Sequence, residues 1–347
     1  MSEVCQAVTP VQRGDPPSTG LGEDLYPIGS HIFFVSVMAT RSRTPEAQLR
    51  PFLKWAGGKT QLLPEFEARF PPELRRGDIP RYVEPFVGGG AVFFMVTTSY
   101  LVRESLIWDA NPDLVTSYAV VKRDPEGLIR MLRELESRYQ SLGDEDRKAF
   151  YYRIRDRFNR LRRKGSPGLD DPRAVMATAA LIFLNRTCYN GLYRVNSRGG
   201  FNVPFGRYRK PRILDEANLR AASAALEHTG VHRGDFTACG PSVDDHTFVY
   251  LDPPYRPLSR TSSFTSYAAG GFGDQDQQRL AQFFRELDQR GALLMLSNSD
   301  AVNRDPGDRF LEDLYRGYRI ARVPARRAIN SVGQGRGPIT ELIITNY

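Results

Sequence analysis

The feature that most constrains the fold is a run of three glycines between a strand-like segment and an apolar helix. Residues 81–86 (RYVEPF) are typical of a strand, residues 87–90 (VGGG) of a tight loop and residues 91–96 (AVFFMV) of a helix. This order is typical of a Rossmann-like nucleotide site, where missing side chains let a ligand approach the backbone. The pattern predicts an α/β fold with a nucleotide-like ligand at the loop.

Two later strand-like segments also end in acidic residues. Residues 105–108 (SLIW) predict a second strand that ends at Asp109, 25 residues after Glu84. That spacing is close to the offset at which a strand-end acid binds ribose hydroxyls. Farther along, a strand-like segment ends at Asp235 and Phe236, which suit the amine and the ring face of an adenine. We therefore expect the ligand to carry an adenine and a ribose.

Residues 248–255 (FVYLDPPY) join a strand to a rigid acidic loop. Each proline fixes its own φ and lacks a backbone N–H, so the carbonyls of Asp252 and Pro253 stay outside helix or sheet bonding. An amine on a heteroaromatic ring is a poor nucleophile because its lone pair is delocalised. Two acceptors, Asp252 Oδ and the Pro253 carbonyl, would favour a pyramidal nitrogen while Tyr255 stacks on the ring. The alternative is a surface turn, since Asp-Pro and Pro-Pro are ordinary turn formers.

A second glycine-containing segment precedes the first strand. Residues 51–60 (PFLKWAGGKT) place two glycines between Trp55 and Lys59, ahead of a helical pattern at residues 61–70. Backbone N–H groups and a cation at a helix start can bind an anion. The spacing is not that of a P-loop, and the alternative is a plain helix-entry turn.

The pattern changes between residues 115 and 214. Residues 125–139 and 144–163 predict charged amphipathic helices, and residues 173–183 predict an apolar helix. Residues 185–196 predict a hairpin, and residues 199–210 continue a mixture of aromatic, Asn and Arg residues. Such residues in turns serve base stacking, wedging and edge reading, although a solvated basic face is the alternative.

The strand and helix alternation resumes after residue 215. Further elements are predicted as a helix at residues 275–290 and strands at residues 292–296, 318–323 and 341–345, the last two joined by a loop rich in Arg and Gly at residues 326–338.

Composition favours a polyanionic partner in a reducing compartment. The 347 residues carry a net charge of +8, and Arg far outnumbers Lys, which suits phosphates and guanine edges. Three scattered cysteines give neither a disulfide framework nor a metal site. His228, His232 and His246 show no ligand spacing, so no metal is expected.

The first 49 residues differ from the rest of the chain. They are rich in turn formers and aperiodic, and their apolar run at residues 32–39 is too short to span a bilayer. We expect residues 1–49 to be disordered or not native, with Met38 as a plausible true start.

Taken together, the motifs resemble those of the DNA adenine methylase family, the Dam-like methyltransferases that use S-adenosylmethionine. The resemblance covers residues 50–347 and rests on eight segments in the family's order. These segments are FLKWAGGK, EPFVGGGAVFF, DANP, NGLYR, FNVPFGRY, GDF, DPPY and SNSD. The resemblance implies a Rossmann-like methyltransferase fold into which a mostly helical target-recognition domain with a hairpin is inserted.

The resemblance also implies roles for particular residues. The implied catalytic residues are Asp252, Pro253, Pro254 and Tyr255. The implied cofactor-binding residues are Trp55, Lys59, Glu84, Phe86, Gly88, Gly90, Asp109, Asp235, Phe236 and Asp252. Among the implied DNA contacts, Tyr189 resembles the residue that enters the base stack, and Asn190 resembles a phosphate contact. Leu192 and Arg194 resemble base readers. Asn202 and Pro204 complete the set of implied DNA contacts.

The domain prediction follows from this order of motifs. Residues 50–114 and 215–347 are expected to form the catalytic domain, and residues 115–214 the target-recognition domain. The predicted function is methylation of adenine N6 in double-stranded DNA, within GATC, by base flipping. The alternatives are an inactive DNA-binding subunit of a restriction system, or an amino-methyltransferase for RNA or protein. We expect a cytoplasmic monomer without membrane contact, and a cognate restriction endonuclease is a candidate partner.

Overall fold

A seven-stranded sheet forms the centre of the computed structural model. Its strands are, in chain order, β1 (Arg81–Glu84), β2 (Glu104–Asp109), β3 (Thr229–Arg233), β4 (Thr247–Leu251), β5 (Leu293–Ser299), β6 (Arg319–Ala325) and β7 (Ile339–Thr345). Their order across the sheet is β3-β2-β1-β4-β5-β7-β6. The first five strands in this order are parallel, whereas β7 runs antiparallel to both β5 and β6. The prediction of an α/β fold is therefore confirmed, and the sheet is mostly parallel.

The structure describes residues 49–162, 165, 167–168, 171–256, 272–303, 305–325 and 339–347. Its helices are α1 (Leu63–Glu67), α2 (Pro72–Arg76), α3 (Ala91–Ser99), α4 (Pro112–Arg123), α5 (Pro125–Gln140), α6 (Asp144–Arg162), α7 (Ala174–Thr187), α8 (Glu216–Ala225), α9 (Asp274–Asp288) and α10 (Phe310–Leu314). The predicted N-terminal extension, except for its last residue, and the predicted loop at residues 326–338 lie outside the described residues.

The middle of the sheet fixes where a ligand can bind. The chain goes outward from β1 to β2 and β3 on one side, and from β4 to β5 on the other. Because neighbouring crossovers leave in opposite directions between β1 and β4, a crevice opens at the carboxyl ends of these strands. Glu84 ends β1, and Asp252 follows β4 directly. The sheet order therefore puts both predicted site loops at the same edge.

Side chains of the central strands alternate between two apolar cores. Phe248 and Tyr250 of β4 face one core, and Val249 and Leu251 face the other. All five residues of β4 are buried, as expected for a strand covered on both faces by other elements. Helix α9 packs on the second face through apolar residues such as Leu280.

The region between β2 and β3 is mainly helical. Helix α7 packs against α4, α5 and α6, and most of its residues are buried, which matches its apolar sequence. It ends at Thr187, four residues later than predicted, because the Cys188 N–H still donates to the Leu184 carbonyl at 2.7 Å.

The hairpin predicted at residues 185–196 lies later in the chain, at residues 194–202, where the Asn202 N–H donates to the Arg194 carbonyl at 3.1 Å and the Asn196 N–H to the Gly200 carbonyl at 2.9 Å. Residues 185–187 belong to α7, and Tyr189–Gly191 forms a short 3-10 turn. The strand-like residues that follow pair outside this segment, through single antiparallel bridges from Cys188 to Phe205 and from Val195 to Phe201. Residues 185–191, which were predicted to be part of the hairpin, belong instead to the end of α7 and to the turn after it.

Within the described ranges, neither a metal site nor a membrane span is found. No group of three or more His, Cys, Asp or Glu residues is arranged to hold a metal ion there. No helix there is long and apolar enough to cross a membrane.

Candidate active site

The loop after β4 carries a carboxylate that is held at one of its two oxygens. The Lys59 ammonium lies 2.7 Å from Asp252 Oδ1, and the Ser297 hydroxyl donates a 3.1 Å hydrogen bond to the same oxygen. The Ser297 oxygen also lies 2.7 Å from the buried Tyr250 hydroxyl. Among the described residues, no hydrogen bond ends on Asp252 Oδ2. The carboxylate is thus fixed in place and keeps one oxygen available as an acceptor.

Two buried amides support the proline pair of this loop. Gln277 Nε2 donates to the Pro254 carbonyl at 3.4 Å, and Asn298 Nδ2 donates to Gln277 Oε1 at 3.1 Å. Both amide side chains are fully buried. Within the part of the chain that the structure describes, no hydrogen bond ends on the Pro253 carbonyl. A second acceptor therefore stays available next to Asp252.

Lys59 lies at the centre of this cluster. It is buried, it donates to the Gly57 carbonyl at 2.9 Å, and its nitrogen lies 4.7 Å from the centre of the Tyr255 ring. The sequence predicted an anion-binding cation at a helix entry, near the cofactor. In the structure, the anion that Lys59 binds is the Asp252 carboxylate.

The two acids nearest the sheet centre have perturbed pKa values. Burial raises the pKa of the Asp252 carboxyl above its ordinary value, and the Lys59 ammonium and the Ser297 hydroxyl oppose that rise. Burial also raises the pKa of Glu84 well above its usual range, although the Tyr82 hydroxyl donates to this carboxyl at 2.6 Å. Acids with such shifts in a crevice are typical of functional sites.

The glycine loop after β1 is bonded to the acid at the end of β2. The Gly88 N–H donates to Asp109 Oδ2 at 3.0 Å, and the Asn111 N–H donates to Asp109 Oδ1 at 2.8 Å. Burial raises the pKa of Asp109 to about 6, although both N–H groups favour the carboxylate. At Gly90, where φ is +73°, a Cβ would lie 2.4 Å from the Tyr118 hydroxyl oxygen, so the turn requires glycine. The glycine loop and Asp109, from which a single nucleotide-like ligand was predicted, therefore lie together.

An aromatic pair extends the same edge toward β3. The Phe86 and Phe236 rings stack with centres 5.3 Å apart. The Arg279 guanidinium lies 4.5 Å from the centre of the Phe236 ring and 2.9 Å from the exposed Asp235 carboxylate. The predicted residues that follow β1 and β3 are thus brought into contact.

Trp55 lies between the glycine loop and the helical region. A Cβ built on Gly88 would be 3.2 Å from Trp55 Cδ1, so the indole lies against the loop. The indole and the Tyr193 ring have centres 5.0 Å apart at a tilt of 35°. Trp55 therefore contacts the predicted cofactor loop and also the segment predicted to read DNA.

The residues predicted to contact DNA lie close together on the surface. Tyr189 is 54% exposed, which is unusual for a large aromatic side chain, and its N–H donates to the Pro204 carbonyl at 2.9 Å. Asn190 has a positive φ of 53° and is also exposed. The exposed Arg194 donates from Nε to Asn202 Oδ1 at 2.8 Å. This group presents an aromatic ring, amides and a guanidinium to solvent.

A buried amide fixes this surface to the segment that carries Trp55. Asn185 Nδ2 donates to the Lys54 and Gly191 carbonyls at 2.8 and 2.9 Å, and Asn185 Oδ1 accepts from the Lys54 N–H at 2.8 Å. At Gly191, where φ is +64°, a Cβ would lie 2.6 Å from Lys54 Cδ, so the two segments approach as closely as glycine permits. Leu192, the next residue, is partly buried against the core.

Several residues of the site were given no role from the sequence. They are Asn185, Gln277, Ser297 and Asn298. A usable signal existed for the last two, because SNS follows the apolar residues of β5 directly and polar residues at the carboxyl end of a buried strand are candidates for a site. Asn185 and Gln277 sit inside helices and give no such signal.

The seven-stranded sheet with these loops at its carboxyl edge is consistent with a methyltransferase fold. A family model described as D12 class N6 adenine-specific DNA methyltransferase matches residues 55–329. The chain belongs to this family. The resemblance to DNA adenine methylases is thereby confirmed, and the protein is an adenine-specific DNA methyltransferase.

Named relatives agree with this assignment over most of the chain. The chain is 50% identical over 301 residues to the Type II methyltransferase M.MjaIII of Methanocaldococcus jannaschii, which covers 86% of this chain and 100% of that protein. It is 38% identical over 303 residues to the Type II methyltransferase M1.LlaDCHI of Lactococcus lactis subsp. cremoris, with coverages of 86% and 96%. It is 34% identical over 296 residues to the DNA adenine methylase of Escherichia coli (strain K12), with coverages of 85% and 94%.

Proposed function

We propose that this enzyme transfers the methyl group of S-adenosylmethionine to the N6 amine of an adenine in duplex DNA, within GATC. The observation that carries the proposal is the Asp252 carboxylate. Lys59 and Ser297 hold one of its oxygens, and the other is available beside the Pro253 carbonyl. Two acceptors next to an aromatic ring suit an amine on a flat heterocycle.

The residues at the carboxyl ends of β1, β2 and β3 fit S-adenosylmethionine. When bound, this cofactor supplies a methyl group on a positively charged sulfur, so nearby carboxylates suit it. Asp109 would accept the ribose hydroxyls, and Asp235 with Phe236 would hold the adenine by its amine and ring face. The turn at Gly90, which only glycine fits because Tyr118 approaches the backbone, shapes the loop that would follow the cofactor. The other residues proposed to line this site are Trp55, Lys59, Glu84, Phe86, Gly88 and Asp252.

The chemistry assigned to the loop after β4 is activation of the amine. Asp252 Oδ2 and the Pro253 carbonyl accept the two amine hydrogens and favour a pyramidal nitrogen with a localised lone pair. Pro254 keeps the loop rigid, and Tyr255 stacks on the base and fixes its plane. The nitrogen releases one proton after it gains the methyl group, and the Asp252 carboxylate is a base within reach.

Base flipping is proposed because a paired adenine cannot reach Asp252. Its amine is bonded to thymine inside the duplex, and extrusion costs a few kcal/mol. The exposed Tyr189 ring would fill the gap, and Asn190 would bind a phosphate. Arg194 would bind the two acceptors of a guanine, while Leu192 would touch a thymine methyl. Asn202 and Pro204 are proposed to complete this DNA-contacting surface.

The choice of GATC rests on the resemblance of NGLYR and FNVPFGRY to the GATC-methylating members of the family. Two named relatives are Type II methyltransferases, which favours a cognate restriction endonuclease as a partner. We propose a monomer that acts in the cytoplasm.

We also propose that the helical region is the target-recognition domain. Residues 115–214 would form this domain, inserted between the two parts of a catalytic domain at residues 50–114 and 215–347. Its buried helix α7 leads directly into the DNA-contacting surface, which supports this division. Helix α4 continues across the predicted boundary at residue 114, so the two domains would share that helix.

Transfer of label from tritiated S-adenosylmethionine tests the substrate class. Purified enzyme is incubated with duplex DNA, RNA or protein, and we expect label in DNA alone. A plasmid methylated by the enzyme is then challenged with endonucleases that are blocked by, or depend on, adenine methylation at GATC. Full incorporation of methyl groups with GATC left unmodified would dismiss this target, while label in RNA or protein would dismiss the substrate class.

A further inference from the structure

Glu341 is the lone charged residue of β7, whose other residues are apolar or threonine. It lies near the start of the strand and is partly buried. An acid in such a strand needs a partner or a function, because burial of a carboxylate is costly. None of the roles assigned above involves this residue.

The register of the sheet puts Glu341 on the face that carries the catalytic carboxylate. Glu341 pairs with Ser299 of β5, and Ile343 pairs with Ser297. Paired residues share a face, and residues two apart along a strand share it too. Ser297 binds Asp252, so the side chain of Glu341 projects from the face where the Asp252 cluster lies.

Two buried polar atoms in this cluster are left without partners. Among the described residues, neither the Tyr255 hydroxyl nor Glu341 Oε2 makes a hydrogen bond, although both atoms are inaccessible to solvent. One is a donor and the other an acceptor. An unpaired buried polar group is unfavourable, so a geometry in which the Tyr255 hydroxyl donates to Glu341 would be favoured.

The pKa of the Glu341 carboxyl responds to the same cluster. Burial raises the pKa of the Glu341 carboxyl, Lys59 and Tyr255 oppose the rise, and Asp252 adds to it. The Lys59 ammonium also lies 2.7 Å from Asp252 and 4.7 Å from the centre of the Tyr255 ring. Lys59 therefore contacts Asp252 and the Tyr255 ring, and its charge also acts on Glu341.

We propose that Glu341 is a positioning residue for methyl transfer, which accepts the Tyr255 hydroxyl and so fixes the plane of the ring that stacks on the target base. The inference rests on the proposed function of Tyr255. A phenol held at its hydroxyl cannot swing about its side-chain bonds, so the base is kept in line with Asp252. Such orientation contributes to turnover more than to binding.

A double-mutant cycle tests this role in the full-length enzyme. Glu341→Leu removes the acceptor at similar size, Glu341→Gln keeps an acceptor without the charge, and Tyr255→Phe removes the donor but keeps the ring. We expect Glu341→Leu and Tyr255→Phe each to lower single-turnover methyl transfer by at least about tenfold. The double variant should be no slower than Tyr255→Phe, and Glu341→Gln should recover most of the rate. The KM for DNA should stay within about twofold.

Glu312→Gln is the matched control, because Glu312 pairs with Arg322 of the neighbouring strand β6, and among the described residues it has no hydrogen bond or ion pair with Tyr255. It should leave turnover unchanged. If thermal unfolding shows that Glu341→Leu is not folded, Glu341→Asp replaces it. The shorter aspartate side chain would also fail to reach the Tyr255 hydroxyl. Losses that multiply in the double variant, or normal turnover in the single variant, would overturn the inference while wild-type activity stands. A wild-type enzyme that transfers no methyl group to DNA would overturn the proposed function and this inference together.

Discussion

The Tyr193 hydroxyl donates a 2.5 Å hydrogen bond to the Asp113 carboxylate, and both side chains are buried. Asp113 lies in the first turn of α4, four residues after Asp109. Tyr193 lies between Leu192 and Arg194, which are proposed to read bases. The bond therefore joins the DNA-contacting surface to the strand end that is proposed to hold the cofactor ribose.

Loss of this bond should destabilise the protein. Tyr193→Phe removes a hydrogen-bond donor from the buried Asp113 carboxylate. Arg162, which lies 2.9 Å away, still pairs with it. We expect a loss of about 1–3 kcal/mol in the free energy of unfolding, measured by urea denaturation. Tyr152→Phe is the control, because the contacts found for Tyr152 among the described residues involve its ring, which phenylalanine keeps. Equal stability of the two variants would show that the bond contributes little.

Cofactor binding should weaken in mild acid because of Asp109. The carboxylate form is the acceptor for ribose hydroxyls, and burial raises its pKa to about 6. Affinity should therefore be constant above this pH and fall by up to about tenfold per pH unit below it. Isothermal titration calorimetry with S-adenosylmethionine between pH 7.5 and 5 measures this. Asp109→Asn should bind weakly with no pH dependence over that range, and constant affinity of the wild type would contradict the assignment.

Removal of Lys59 should shift the pH dependence of turnover. The Lys59 ammonium favours the ionised form of Asp252, so Lys59→Ala lets burial raise the pKa of Asp252 further. The acidic limb of the plot of kcat against pH should move up by about 1–3 pH units, with partial recovery of activity in alkali. Lys122→Ala serves as the control, because Lys122 donates to the Thr229 carbonyl. An unshifted profile would mean that Lys59 does not tune Asp252.

Arg194 should affect sequence preference more than overall activity. A guanidinium on a guanine edge discriminates by about 1–3 kcal/mol, so Arg194→Ala should accept other bases at one position of the site. Methylation of a library of duplexes, read by sequencing, measures the change. Arg198→Ala in the same exposed loop should keep the wild-type preference. Equal loss of activity on all sequences would instead make Arg194 a phosphate or structural contact.

Most strands could be predicted from the sequence because their apolar residues dictate burial. For example, β4 begins one residue before its predicted start at Phe248 and ends at Leu251 as predicted. Strand β5 extends three residues past its predicted end, since Ser297 and Asn298 find buried partners that a local pattern does not show. Burial of apolar residues thus determines the bounds of β4, whereas tertiary hydrogen bonds determine where β5 ends.

The site was predictable as a set of loops but not as a set of contacts. Asp252 stood out because it follows an apolar strand, and Asp109 because it ends one. The pairing of Lys59 with Asp252 joins segments 193 residues apart in the chain, so no local signal announces it. Glu341 acquires its neighbours only through the antiparallel pairing of β7 with β5.

The most direct test of the account is methyl transfer by Asp252→Ala, followed by analysis of the nucleosides in the labelled DNA. The wild type should place the label on the N6 position of adenine. Asp252→Ala should lose at least about 10²–10³ in rate, since an acceptor for the reacting amine is gone, and should still bind S-adenosylmethionine. Near-normal turnover by the variant, or wild-type label on another base, would contradict the claim that Asp252 activates an adenine amine.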